Sequence, residues 1–161
     1  MAYGSGSFSG EEWVDTVTLA PGLVIEKQSI GVADNSTGFP SVDGILGVGP
    51  VDLTDGTVSN TGTVPTVLDS LYAQGTISEE VLGIYYVPAS APISDGTLTF
   101  GGVDYSKAIT PVKYVPITTT SPASTFWGID QSISYGDETI LSTTAGIVDT
   151  GTTLILIASG G

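Results

Sequence analysis

The 161-residue sequence contains no cysteine, no histidine and no arginine, and its positive side-chain charge rests on Lys27, Lys107 and Lys113 alone. Without cysteine there is neither a disulfide framework nor a thiolate site. Without histidine, side-chain proton transfer has to fall to other groups, carboxylates foremost. Seventeen acidic residues bring the net charge to -14, which repels a phosphate backbone and argues against nucleic acid as a partner. No stretch approaches the roughly eighteen apolar residues of a membrane span, so no membrane partner is expected. No basic amino-terminal segment leads into an apolar run, so no targeting segment is visible.

What is present is apolar material for a core, at 40% of residues, and few charges, at 12%. The polar surface therefore falls to Ser, Thr and Gly, a composition that favours short strands and turns over long helices. The length fits one ordinary domain or a central piece of a larger one. Below about pH 4, carboxylates approach their ordinary pKa values and the self-repulsion of so acidic a chain fades. An acidic working environment and simple high solubility are both consistent with that balance.

Glycines punctuate Tyr3-Gly4-Ser5-Gly6-Ser7-Phe8-Ser9-Gly10 and predict a hairpin. Trp13, Asp15, Val17 and Leu19 alternate with Val14, Thr16 and Thr18 in a strand that ends at Pro21-Gly22. Leu23 to Val32 continues it, with Lys27-Gln28 as a polar interruption, and Asp34 to Pro40 reads as a loop. Val42 to Gly49, with glycines beside Ile45 and Leu46, predicts a buried strand closely approached by other backbone. A helix is predicted from about Pro65 to Gln74: Val64, Val67, Leu68, Leu71 and Tyr72 recur at helical spacing, Gly75 ends it and Asp69 faces solvent. Strands follow at Leu82 to Val87, Thr97 to Phe100, Val112 to Ile117 and Phe126 to Tyr135, the last turning at Gly136-Asp137-Glu138 into Thr139-Ile140-Leu141. The expected class is all-β with one short helix. A composition break near residues 89–95 permits a boundary between two sheet units.

The chemistry concentrates in Gly146-Ile147-Val148-Asp149-Thr150-Gly151-Thr152-Thr153. After the strand-like Ile147-Val148 the backbone has to turn, Gly151 permits close approach, Thr150 can hold the turn, and the Thr152 hydroxyl can donate to Asp149. A buried aspartate stabilising its own turn is the structural alternative.

Asp149-Thr150-Gly151-Thr152-Thr153 resembles the catalytic turn of pepsin-like aspartic proteases of the fungal type. Tyr3-Gly4-Ser5-Gly6-Ser7-Phe8 is similar to the family's flap, with Tyr3 as the flap tyrosine. Asp43-Gly44-Ile45-Leu46-Gly47 resembles the segment that braces a catalytic turn. Leu98 to Asp104, Phe126 to Ile129 and Gly136 to Ile140 match further landmarks in order. The resemblance implies a pepsin-like acid protease fold, incomplete or rearranged: residues 1–90 as part of the amino-terminal lobe from the flap onward, and residues 91–161 as interlobe strands and the start of the carboxy-terminal lobe. It also implies acid-pH peptide-bond hydrolysis, no cofactor, and a secreted or acidic vacuolar location.

The family's chemistry needs two aspartates sharing one proton, and Asp149 lies in the one Asp-Thr-Gly turn of this sequence. The isolated chain is therefore expected to be inactive unless a homodimer or missing protease segments supply a second aspartate, the peptide or protein substrate then binding a completed site. Three origins follow: a fragment, a permuted lobe acting as a dimer, or a noncatalytic binding or structural protein built from protease-derived strands. Asp34, Asp43 and Asp52 lack calcium-loop spacing and read as solvated acids, so no metal site is expected. Asn35-Ser36-Thr37 has the form of a glycosylation sequon.

Overall fold

A computed structural model of the chain describes residues 1–39, 41–93 and 95–158. Pro40 at the end of the predicted 34–40 loop, and Ser94 in the 88–96 connection, lie outside the described residues. Strands β1 (Ser7–Ala20), β2 (Leu23–Thr37), β3 (Leu82–Tyr86), β4 (Gly96–Phe100), β5 (Gly128–Tyr135) and β6 (Glu138–Ile147) accompany one helix, α1 (Val67–Ala73). The strands form three antiparallel pairs, β1 with β2, β3 with β4 and β5 with β6. The mostly-β class with one short helix is as predicted. The chain divides into two compact units, Met1–Pro111 and Val112–Gly161. The composition break near residues 89–95 falls between β3 and β4, which pair from Leu82↔Phe100 to Tyr86↔Gly96. β3 and β4 thus make a hairpin.

In the first unit, Pro21-Gly22 joins β1 to β2 as a two-residue turn between Ala20 and Leu23. Farther in, Asp15 pairs with Gln28 and Val17 with Ile25, so Glu26 and Lys27 together oppose Thr16 in a β-bulge. Lys27 takes φ 57 there. The extra residue changes the side-chain alternation, so that Ile25 and Gln28 are both buried. The polar interruption of the sequence is thus a device that aims two side chains at α1. Ile25 packs with Val67, Leu68, Leu71 and Ile77, and Leu19, Leu23, Leu82 and Phe100 close around them. Gln28 donates through Nε2 to Pro65 O at 3.1 Å, and Gln74 exchanges hydrogen bonds with the backbone of Glu26 at 3.0 and 2.9 Å. Full burial of Ile25 and Leu71 contributes about 1.5–3 kcal/mol each.

Thr66 caps the helix through a capping box: its backbone N–H donates to Asp69 at 2.6 Å while its hydroxyl accepts from the Asp69 N–H. Asp69, predicted to face solvent, is therefore half-buried in the cap. At the other end Gly75 N–H donates to Tyr72 O and Thr76 N–H to Leu71 O, both at 2.9 Å. This Schellman ending requires the φ of +72 that Gly75 supplies.

Three expectations are corrected. Residues 34–37 belong to β2 rather than to a loop, because Ser7, Phe8 and Ser9 pair with Thr37, Ser36 and Asn35. Long-range pairing there overrides the poor strand propensity of Asp, Asn and Ser. Residues 42–49 form no strand, and Ile45 and Leu46 are 46% and 45% exposed. A Cβ added at Gly44 or Gly47 would meet nothing within 4 Å, so the close approach expected there is absent at those two glycines. Val112 to Ile117 likewise forms no strand, and Pro111 before it and Pro116 within it lack the N–H groups a ladder uses.

In the second unit β5 and β6 are joined at Gly136-Asp137, with Tyr135 opposite Glu138. Thr118 is buried beneath the hairpin, donating through its hydroxyl to Asp130 at 2.8 Å and through its N–H to Gly128 O at 2.9 Å.

Candidate active site

The β5–β6 hairpin sets the starting point of the Asp149 turn. Gly128 pairs with Ile147 at the end of β6, and the Val148 N–H then donates to Trp127 O at 2.9 Å, adding one more rung. Asp149 follows, where the chain leaves the ladder. Its Oδ1 accepts from the Gly151 N–H at 2.9 Å and its Oδ2 from the Thr152 hydroxyl at 2.5 Å. The predicted donation from Thr152 is present. An added Cβ at Gly151 would stand 3.4 Å from Asp149 Oδ1, an ordinary contact, so the approach at Gly151 is to the carboxylate itself. Thr150, between Asp149 and the two donors in sequence, is exposed.

These donors favour the ionised carboxylate. The Thr152 hydroxyl first, then the Gly151 N–H, hold Asp149 below the ordinary aspartate range, against a smaller opposing effect of partial burial. An exposed, ionised carboxylate with one donor on each oxygen can accept a proton from water, and it keeps its orientation while doing so.

At the amino-terminal end, Tyr3 to Gly6 form a tight turn in which the Tyr3 N–H donates to Gly6 O at 2.7 Å. Ala2 bridges Ser7, and Phe8 N–H donates to Met1 O at 3.0 Å. The predicted hairpin is formed, with Gly4 and Ser5 exposed at its tip. Tyr3 stacks on Phe8 at 6.2 Å between ring centroids and meets Phe39 edge-on at 5.5 Å. Burial raises the Tyr3 phenol pKa, keeping it a neutral donor. The hairpin leans on β2 and the residues after it: a Cβ at Gly38, whose φ is +82, would lie 2.1 Å from Ser5 O. Phe39 escaped the sequence reading because it lies in a stretch read as loop. The pairing of residues 7–9 with 35–37 is the signal that would have found it.

Tyr3 and Phe8 thus share one ring cluster in the first unit, with Ser7 next to Phe8 on the opposite face of the strand; Ile45, Leu46 and Gly47 are a separate exposed stretch of that unit, and Asp149, Thr150, Gly151 and Thr152 a cluster in the second. Among the described residues, no group of three or more acidic side chains is arranged to hold a metal ion.

Comparison with known proteins gives these clusters a context. A family model described as eukaryotic aspartyl protease matches residues 1–160. Polyporopepsin of Irpex lacteus is 60% identical over 99% of this chain and 48% of its own length. Rhizopuspepsin-1 of Rhizopus niveus is 36% identical over 98% of this chain and 39% of its own. The crystal structure of the aspartic proteinase from Irpex lacteus superposes with a TM-score of 0.94 at 58% identity, covering 99% of this chain and 48% of that one. The chain spans about half the length, or less, of these relatives. The fold is that of the pepsin-like acid proteases, present in part, and the chain belongs to the eukaryotic aspartyl protease family.

Proposed function

We propose that Asp149 is one of two carboxylates of an aspartic endopeptidase site that hydrolyses peptide bonds at acid pH. The carrying observation is the pair of donors on Asp149, Gly151 N–H and Thr152 hydroxyl, in a chain of this family. In a completed site the ionised carboxylate takes a proton from water as the water oxygen attacks the scissile carbonyl carbon. The protonated partner donates to the developing oxyanion, and collapse of the tetrahedral species breaks the C–N bond as the amine gains a proton. Tyr3, Ser7 and Phe8 serve as flap and substrate contacts. Ile45, Leu46 and Gly47 brace a catalytic turn, which agrees with their exposure and the open space at Gly47.

On this reading residues 1–90 belong to the amino-terminal lobe and residues 91–161 lead into the carboxy-terminal one. The collinear match to polyporopepsin supports an ordinary rather than permuted order. The second aspartate then comes from polypeptide beyond these residues, a second copy of the chain being the other source. Substrates are extended peptides with apolar side chains around the cut, and the location is secreted or vacuolar. A noncatalytic binding role is favoured by one observation, the single Asp-Thr-Gly turn in these residues.

The decisive assay measures cleavage of an apolar peptide at acid pH by the chain alone and by the chain completed with polypeptide carrying a second such turn. Asp149→Asn in the completed protein is expected to lower kcat by about 10²–10⁴-fold. Unchanged cleavage removes Asp149 from the mechanism. Partner binding that survives this substitution, with no cleavage by the parent protein, establishes the noncatalytic role.

A further inference from the structure

The hairpin that carries Tyr3 has two unlike faces. Tyr3, Phe8 and Phe39 are joined by ring contacts. Ser7 and Thr37 bring their hydroxyls to 3.4 Å of each other. Two residues along each strand from that pair, Ser9 and Asn35 are in register, and side chains two apart in a strand share a face. Ser7, Ser9, Asn35 and Thr37 therefore make a face of small polar groups. Asn35 is exposed, as are Ser36 and Thr37, and no hydrogen bond engages the Asn35 side chain among the described residues.

We propose that Asn35 is an acceptor for N-linked glycosylation. Asn35-Ser36-Thr37 supplies the acceptor amide and the hydroxyl two residues on that this transfer requires, with no proline between. In the transfer, Asn35 Nδ2 loses one proton and bonds to the anomeric carbon of a lipid-diphosphate-linked oligosaccharide. The anomeric C–O bond breaks and the lipid diphosphate leaves with its electron pair. After folding, the attached sugar leaves a face whose neighbouring side chains are too small to obstruct it. The only other asparagine, Asn60, precedes Thr61-Gly62 and lacks the second hydroxyl; it is an internal control. The inference rests on the secretory location proposed above.

The test translates the full chain behind a cleavable secretion leader in the presence of endoplasmic-reticulum microsomes. The expected result is one glycan-sized gel shift, reversed by peptide N-glycosidase, lost in Asn35→Gln and Thr37→Ala and kept in Thr37→Ser. A translocated, protease-protected chain without the shift overturns the proposal, and so does a shift that persists in Asn35→Gln. Forced translocation makes this readout independent of natural location and of peptide cleavage. A second arm maps the chain secreted by yeast: Asn35 found as Asp after enzymatic deglycosylation supports the site, and unmodified Asn35 in secreted, folded protein overturns it.

Discussion

The Thr152 hydroxyl donates to Oδ2 of Asp149 at 2.5 Å, leaving Oδ1 to the Gly151 N–H. Each oxygen thus has its own donor, and loss of one has a predictable direction. Thr152→Ala removes the largest influence holding the carboxyl below its ordinary range, so the Asp149 pKa rises towards the ordinary value, while Thr152→Ser leaves it low. Carbon-detected NMR titration of the side-chain carboxyl reads both. The lowered pKa contributes stability that is present above the ordinary aspartate pKa and is lost as pH falls through the folded value. Thr152→Ala is expected to flatten that part of the pH dependence.

Glu80 has the opposite sign. Its hydrogen bond with Asp69, then slight burial and the Asp69 charge, raise its pKa. A raised carboxyl contributes stability below the ordinary glutamate pKa and loses it as pH rises through the folded value. Glu80→Gln, which keeps a donor beside Asp69 without a titrating group, is expected to raise the thermal midpoint at neutral pH. The difference from the parent chain should vanish in acid, as read by melting curves across that range.

Leu71 is fully buried against Ile25 at the centre of the small core. Leu71→Ala is expected to cost about 2–5 kcal/mol, measured by denaturant unfolding. Because α1 joins the two hairpins of the first unit through that core, hydrogen exchange in β2 and β4 should accelerate together.

Gly38→Ala tests how the Tyr3 hairpin is seated. The new methyl would overlap Ser5 O at a backbone φ that costs a side chain about 1–2 kcal/mol. The expected outcome is faster amide exchange at Tyr3 and Phe8, whose N–H groups close the turn, with exchange in α1 unchanged.

Local interactions were legible in the sequence. Pro21-Gly22, the helix with Gly75 behind it, and the donation from Thr152 to Asp149 each join residues a few positions apart. What escaped depends on distant partners. Ser7 and Thr37 meet across 30 residues, and no local pattern in Asp34-Asn35-Ser36-Thr37 announces that pairing. The apolar runs at Val42 to Gly49 and Val112 to Ile117 erred the other way: their composition suits a strand, but a strand forms only where another supplies its ladder. Asp69 reads as solvated because helical spacing registers its face and overlooks its reach back to the Thr66 N–H.

Beyond Thr152 the chain runs into Leu154, Ile155 and Leu156, which are 70%, 86% and 80% exposed. At neutral pH the charge of -14 keeps copies of this chain apart. Acid removes that repulsion by protonating carboxylates, while the stickiness of the three aliphatic side chains is indifferent to pH. The acid conditions proposed above for a completed paired-carboxylate site are therefore also those in which this polypeptide on its own is most prone to clump, an onset that light scattering during acid titration would register.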